Sequence, residues 1–460
     1  MGNIKSIKTQ TIMRRQKENI DMKKRTTTCI LAAMMALSAC LSGCSTGTSG
    51  SASASSGTQG TSSGESSDII QLTYWYSWQD KIAENNVERI QEFNETVGKE
   101  NGIQVTAEYQ GTYDDLHSKL KSAFVANEEP DVCVMEIASI KPFADGGIIQ
   151  PIQEMVAQED VDDFYPGLME NCYVDGVLYG VPYLRSTPVL YYNKTLFEKA
   201  GLASEKGPSD WKELASMSKQ LADIGVSGYG FVSDIWIYEA FLRCNSGDTV
   251  NEDWTRAVFN SQQGVEMTQF LRDGLRENNF KYYSGNNASD AIKTDEVNQK
   301  VAMWVASTAN LSNNLQLASD NGYEIGTAFI PKNTQNKVPT GGCNLVMTSR
   351  LEGKKKEAAA MLINFMSSKD SAVKNHIKTG YLPTRKSISN DERLVELYEK
   401  TPQYKVALDQ LQYGSGRPMA QAYTEMTKTY QEGMDKIMTT DTDIQEALDE
   451  CAAACDSLLK

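Results

Sequence analysis

Between residues 69 and 135 the chain twice alternates a short run of strand formers with a segment of helical period. No other feature limits the fold as tightly. Ile69-Ile70-Gln71-Leu72-Thr73-Tyr74-Trp75-Tyr76 is rich in β-branched and aromatic residues and reads as a strand. Ile82, Val87, Ile90 and Phe93 then recur at helical spacing. A second strand is predicted over 104–109 and a second helix over 113–126. Pro130 ends that section, and Asp131-Val132-Cys133-Val134-Met135 reads as a buried strand. Alternation at this spacing belongs to an α/β lobe with a largely parallel sheet. Further along, helices are expected over 210–222, 235–243, 262–277, 290–299 and 354–366. Short strands are expected over 187–193, 301–304, 323–330 and 344–347.

The N-terminal region carries an address. Lys23-Lys24-Arg25 precedes an apolar run over 29–39, and Leu41-Ser42-Gly43-Cys44 follows. A basic start, a short apolar core and a small-residue cleavage point make an export signal. The apolar run is about a dozen residues, short of the ~20 that span a bilayer. Cys44 opens a stretch of almost only Ser, Gly, Thr and Ala that runs to residue 67. The motif resembles the bacterial lipobox, which implies a diacylglycerol-bearing, palmitate-type anchor on Cys44. Leu37-Ser38-Ala39-Cys40 also fits, so Cys40 stays open as the acylated residue; Cys44 is preferred because the tether starts directly after it. The expected organisation is an over-called extension over 1–21, a signal peptide over 22–43 and a lipidated tether over 44–67. The protein is then held on the outer face of a bacterial membrane.

Removing signal and tether leaves about 390 residues, more than one compact core holds and enough for two lobes. The net charge of −15 favours solubility and argues against nucleic acid as partner. Outside the signal, Cys133, Cys172, Cys244, Cys343, Cys451 and Cys455 lack zinc-site spacing. With His117 and His376 as the only histidines, no metal or cofactor is expected. Buried, small and apolar is the expected state of most of these thiols. No Gly-x-Ser-x-Gly and no Gly-x₄-Gly-Lys-Ser/Thr is present, so neither a nucleophile elbow nor a phosphate-binding loop supports catalysis. The rival is an extracellular carbohydrate hydrolase working through two carboxylates, which 60 acidic residues make easy to propose and hard to specify.

Ser186-Thr187-Pro188-Val189-Leu190-Tyr191-Tyr192-Asn193-Lys194, Gly341-Gly342 and Thr379-Gly380-Tyr381-Leu382-Pro383-Thr384 carry the resemblance that matters. In this order and spacing, over about residues 72–459 and behind a lipobox, they resemble the family 1 extracellular solute-binding proteins of ABC importers. The nearest motifs are those of the glycerol 3-phosphate-binding and sugar-binding members. The resemblance implies a periplasmic-binding-protein-like fold: two α/β lobes joined by a hinge, with the ligand cleft between them. The first lobe would comprise 68–186 and 344–414, and the second 187–343 and 415–460. Crossings would fall near 186–190, 341–345 and 414–419. The implied function is capture of a glycerophosphoryl solute, or of a sugar without phosphate recognition, and its delivery to permease subunits by a monomeric, non-catalytic protein.

Candidate ligand contacts are Tyr113, Glu136, Ser186, Thr187, Trp236, Ser307, Gly341, Tyr381 and Arg417. Tyr113 opens a helix after a strand, where its hydroxyl meets a solute or its ring staples the helix. Glu136 ends a buried strand, the edge at which open α/β sheets collect ligands; it also suits capping of the next turn. Ser186 and Thr187 offer hydroxyls at a crossing. Ser307 suits a helix start, whose backbone N–H groups favour an anion, or a plain cap. Gly341-Gly342 suits either a crossing or an ordinary turn. Arg417, between Gly416 and Pro418, presents a guanidinium suited to phosphate or carboxylate, or to a salt bridge between lobes. By resemblance, Tyr113, Glu136, Ser186, Ser307, Gly341, Tyr381 and Arg417 occupy ligand positions of the glycerol 3-phosphate-binding members. Trp75, Trp78, Trp236 and Trp304 are the aromatic candidates for a sugar face, and Trp236 matches a cleft tryptophan of the family. Asp234-Ile235 departs from the glycerol phosphate pattern, which leaves the non-phosphate half of the ligand undefined.

Overall fold

The computed structural model describes residues 69–285 and 287–459. The lipidation readings at Cys44 and Cys40, and the signal and tether, lie outside the described residues.

In the first section β1 (Ile70–Tyr76), α1 (Asp80–Glu95), β2 (Ile103–Tyr109), α2 (Tyr113–Ala126) and β3 (Val132–Glu136) follow the expected alternation. β1 shows why it is a strand: Leu72, Tyr74 and Tyr76 are buried in alternation along it. β4 (Ile149–Gln150), β5 (Gly180–Ser186) and β6 (Pro188–Asn193) come next. α3 (Trp211–Asp223), β7 (Ser227–Val232), α4 (Ile235–Cys244), α5 (Gln262–Arg276) and β8 (Phe280–Tyr283) continue the chain. They are followed by β9 (Val301–Ser307), α6 (Leu311–Asp320), β10 (Ile325–Ala328) and β11 (Gly341–Thr348). Toward the C-terminus lie the helices α7 (Gly353–Met366), α8 (Lys369–Thr379), α9 (Pro402–Gln410), α10 (Tyr423–Thr439) and α11 (Ile444–Leu459).

These strands form two sheets. The first runs β2–β1–β3–β11, with β4 and β5 both on the far edge of β11. β1 is parallel to β2 and β3, and β11 is antiparallel to β3, β4 and β5. The second sheet runs β8–β7–β9–β6–β10, with β6 antiparallel to both its neighbours. Each sheet has its own apolar core: Leu72, Tyr74, Phe93 and Val132 in the first, Tyr229, Phe231, Phe241 and Tyr430 in the second. This is the two-lobed α/β arrangement, and the sheets exchange chain at a few crossings. Ser186 ends β5 in the first sheet and Pro188 opens β6 in the second, so Thr187 alone bridges them.

Two expectations are corrected, for Val87 and for the stretch 344–414, and at Gly341-Gly342 the crossing is chosen over the turn. Val87 does not belong to the buried face of α1; it is exposed, and Asn85, Asn86 and Arg89 are buried beside Ile90 and Phe93. Partners make that polar face stable. Tyr74 and Tyr183 donate to Asn86 Oδ1 at 2.6 and 3.1 Å, and Asn85 donates to Asn375 at 2.8 Å. Gly341 and Gly342 are not a turn. They open β11, paired with Ser186 and Arg185. Gly342 holds φ +85°, and a Cβ there would lie 2.0 Å from Leu184 O, so glycine permits the strand to start so close to β5. The stretch 344–414 also divides. α7 packs on the first lobe, but α9 lies on β10 of the second, with Tyr404, Ala407 and Leu411 against the Tyr191–Trp304 face. That apolar stripe has its match there, and Gln403 seals it by donating to Ile325 O at 2.8 Å.

Arg185 ties the crossings together. Fully buried, it donates to Gly341 O at 3.0 Å, Thr340 Oγ1 at 3.0 Å, Asn344 Oδ1 at 3.1 Å and Leu168 O at 2.5 Å. Four neutral acceptors thus take the place of a counter-ion for a buried charge.

Candidate functional site

A cavity of ≈ 610 Å³ lies where the lobes face each other. Its first-lobe wall holds Trp78, Tyr113, His117, Glu136 and Phe143; Ile235, Tyr423, Thr427 and Lys428 line the opposite side. Arg417 reaches it from the third crossing. A groove of ≈ 690 Å³ beside α9 is larger but contains none of the candidate residues.

Tyr113 is placed by a capping box. Thr112 Oγ1 accepts from Asp115 N at 3.2 Å and Thr112 N donates to Asp115 Oδ2 at 2.9 Å. The Tyr113 hydroxyl is buried without a hydrogen-bond partner. Burial, with Cys343 and Tyr381 beside it, pushes its pKa well up, so the ring stays a neutral phenol. Glu136 is the last residue of β3, and its carboxylate accepts from Ala138 N at 2.9 Å. Burial raises the pKa of Glu136 even though Arg417 opposes the shift.

Arg417 joins the lobes. Its Nη1 donates to Glu136 Oε1 at 3.4 Å in the first and its Nε to Glu239 Oε2 at 3.1 Å in the second. Burial works against the charge, but Tyr423, Glu239, Glu136 and Asp234 outweigh it and the pKa is raised. Asn171 brackets the backbone on both sides, accepting from Arg417 N and donating to Arg417 O, each at 2.8 Å. Nη2 makes no hydrogen bond among the described residues. Glu239 is fully buried and is shared with Arg243, whose Nη2 lies 2.7 Å from Oε1. Asp234 caps α4 by accepting from Trp236 N at 2.8 Å, and burial raises its pKa.

Of the candidates, Tyr113, Glu136 and Arg417 line one cavity. Trp236, Ser186 and Gly341 form an adjacent knot. Trp236 Nε1 donates to Thr340 O at 3.3 Å, and a Cβ on Gly341 would meet Trp236 Cζ2 at 2.7 Å and Ser186 Oγ at 3.2 Å. Thr187 is fully buried and accepts from Gln410 Nε2 at 3.2 Å, so its hydroxyl serves the crossing. Ser307 caps a three-residue 3-10 turn, accepting from Ala309 N at 3.1 Å. Tyr381 is buried, and its carbonyl lies 2.6 Å from His376 Nδ1. Glu239 and Tyr423 were not anticipated. A signal for Glu239 was present: Glu239 and Arg243, four apart, are the only charges in the apolar run of α4. Among the described residues no group of three His, Cys, Asp or Glu gathers to hold a metal. All six cysteines there are buried and unpaired.

The model of the family described as bacterial extracellular solute-binding protein matches residues 88–406. The sn-glycerol-3-phosphate-binding periplasmic protein UgpB of Brucella melitensis is 28% identical over 351 residues, covering 72% of this chain and 78% of its own. Two solved structures share the fold at a TM-score of 0.74, each over 85% of this chain. One is the cyclic alpha-maltosyl-1,6-maltose binding protein of Arthrobacter globiformis, 21% identical and covered over 99% of its length. The other is UgpB of Mycobacterium tuberculosis in complex with glycerophosphocholine, 23% identical and covered over 98%.

Proposed function

We propose that this chain, which belongs to the bacterial extracellular solute-binding proteins, captures a glycerophosphoryl solute outside the cell and passes it to the permease of an ABC importer. The observation that carries the reading is Arg417, held between Glu136 of one lobe and Glu239 of the other at the edge of the inter-lobe cavity. A guanidinium with one free N–H face suits a phosphoryl or hydroxyl oxygen, and Tyr113 lines the same cavity. The glycerol phosphate named for the Brucella relative points the same way. Binding shifts the population toward a closed form that the permease recognises, because the solute contacts both lobes only when they close. The protein acts as a monomer without covalent chemistry.

A neutral mono- or oligosaccharide is the second reading. Arg417 already faces two carboxylates, so a polyol needs no surplus cation from the site, whereas a phosphomonoester does. Thermal unfolding across sn-glycerol 3-phosphate, a glycerophosphodiester and maltose separates the two, since ligand at 100 times its Kd stabilises by about 2.7 kcal/mol. Stabilisation by a phosphoryl solute, lost in Arg417→Ala, is the expected result. Stabilisation by maltose alone replaces the first reading with the second.

We place the protein on the outer face of the cell membrane through lipid on Cys44. Cys44→Ser should move it from the membrane fraction to the soluble fraction; retention would indicate Cys40 or another anchor.

A further inference from the structure

Six tryptophans are present, and five are committed elsewhere. Trp75 donates to Glu108 Oε2 at 2.8 Å on the sheet surface, and Trp236 to Thr340 O. Trp211 and Trp304 are buried, stacked on Phe270 and Tyr191, and Trp254 packs against the cores. Trp78 alone among them lines the inter-lobe cavity. It is 37% exposed and stands edge-on against Tyr113 with ring centroids 5.2 Å apart. Its Nε1–H has no hydrogen bond among the described residues.

The backbone holds it there at a cost. Trp78 has φ +73° and Asp80, two residues on, has φ +52°. A bulky side chain in the left-handed region is unfavourable, and such strain collects where a side chain must be aimed. The turn is fixed from outside: Trp78 N donates to Gly111 O at 3.0 Å, next to the Thr112 cap that sets Tyr113. One β1–α1 turn and one β2–α2 turn thus place the indole and the phenol together on the first-lobe wall.

We propose that Trp78 is a specificity-determining residue of the cleft. It stacks on the part of the solute that extends beyond the polar head held at Arg417 and Glu136, so the site takes a solute with a substituent larger than bare glycerol phosphate. This rests on the import reading above. An indole offers an apolar face to sugar C–H groups or to an aliphatic substituent, and a negative π-face to a cationic one.

The test is titration calorimetry of the full chain with sn-glycerol 3-phosphate, a glycerophosphodiester and maltose, in wild type, Trp78→Ala, Trp78→Phe and Trp78→Gly. Trp78→Ala should weaken the larger ligand about tenfold and leave any binding of sn-glycerol 3-phosphate within about twofold; Trp78→Phe should retain most of the affinity. Trp78→Gly should lose affinity like Trp78→Ala without a lower Tm, since glycine accepts φ +73°. An equal loss for every ligand, no loss for any, or binding of sn-glycerol 3-phosphate alone overturns the inference and leaves the import reading standing. No binding of any of the three by wild type overturns both.

Discussion

His376 and Gly342 show how single residues hold the site without touching its cavity. His376 is buried, with Nδ1 against Tyr381 O and Nε2 3.1 Å from the Tyr398 hydroxyl. Burial lowers its pKa from 6.5 to about 4. Between those values the unfolded chain binds a proton that the folded chain refuses, so stability falls as the pH drops from 6.5 toward 4. The loss amounts to about 3 kcal/mol at the acid end. Denaturant titrations at pH 7 and 4 should show it, and His376→Gln should reduce the difference without abolishing it, because burial also lowers the pKa of His117 to about 3; an unchanged difference would remove His376 as a cause. Gly342→Ala should cost about 2 kcal/mol or more, from a left-handed backbone and a Cβ driven into Leu184 O. An unaltered urea midpoint would mean that β5 and β11 part easily. Tyr113, Glu136 and Arg417, which line one cavity, were legible as candidates because each sits at a landmark that sequence reports: a helix start, a strand end and a Gly-x-Pro break. Ser307 and Thr187 looked equivalent, yet the structure gives both hydroxyls partners within the protein, Ala309 N for Ser307 and the distant Gln410 for Thr187. Sequence lists hydroxyls but not the partners that use them.

At the scale of elements, the alternation of β1, α1, β2, α2 and β3 was readable because propensity and burial agree there. α1 was the exception. Its apolar period pointed to Val87, while the buried face is set by asparagines that meet Tyr74 of the preceding strand and Tyr183 and Asn375 of distant elements. No local pattern encodes partners that far away. β5 and β11 are joined by Arg185, whose four acceptors come from two separate segments, Leu168 and residues 340–344. Arg185→Met keeps the volume and removes every donor, leaving those acceptors buried. It should destabilise the protein by at least about 3 kcal/mol, since each buried orphan costs ~1–3 kcal/mol. Chemical denaturation measures this, and a loss below about 1 kcal/mol would mean that water replaces the guanidinium. α4 contributes Glu239, which ties Arg417 to Arg243. Glu239→Gln keeps the shape and removes the charge, so Arg417 should turn toward the cavity and bind an anionic solute more tightly. Weaker binding of sn-glycerol 3-phosphate by that variant would show that Glu239 orients Arg417 rather than restrains it.

For the whole molecule, length and alternation already required two lobes, and the two sheets with separate cores match that requirement. Which segment joins which lobe was harder to read. α9 follows α8 in sequence, but its apolar stripe fits the second sheet, and only the three-dimensional surfaces decide that choice. The same limit applies to the cleft, because the Glu136–Arg417–Glu239 bridge joins residues 136, 239 and 417 through two crossings. Capture without chemistry is the central property proposed for this protein. Titration calorimetry with sn-glycerol 3-phosphate, a glycerophosphodiester and maltose, followed by recovery of the ligand, tests it most directly. The prediction is saturable binding of one solute per chain, abolished by Arg417→Ala, with the solute returned intact. Conversion of the solute to a product, or no binding of any of the three, would contradict it.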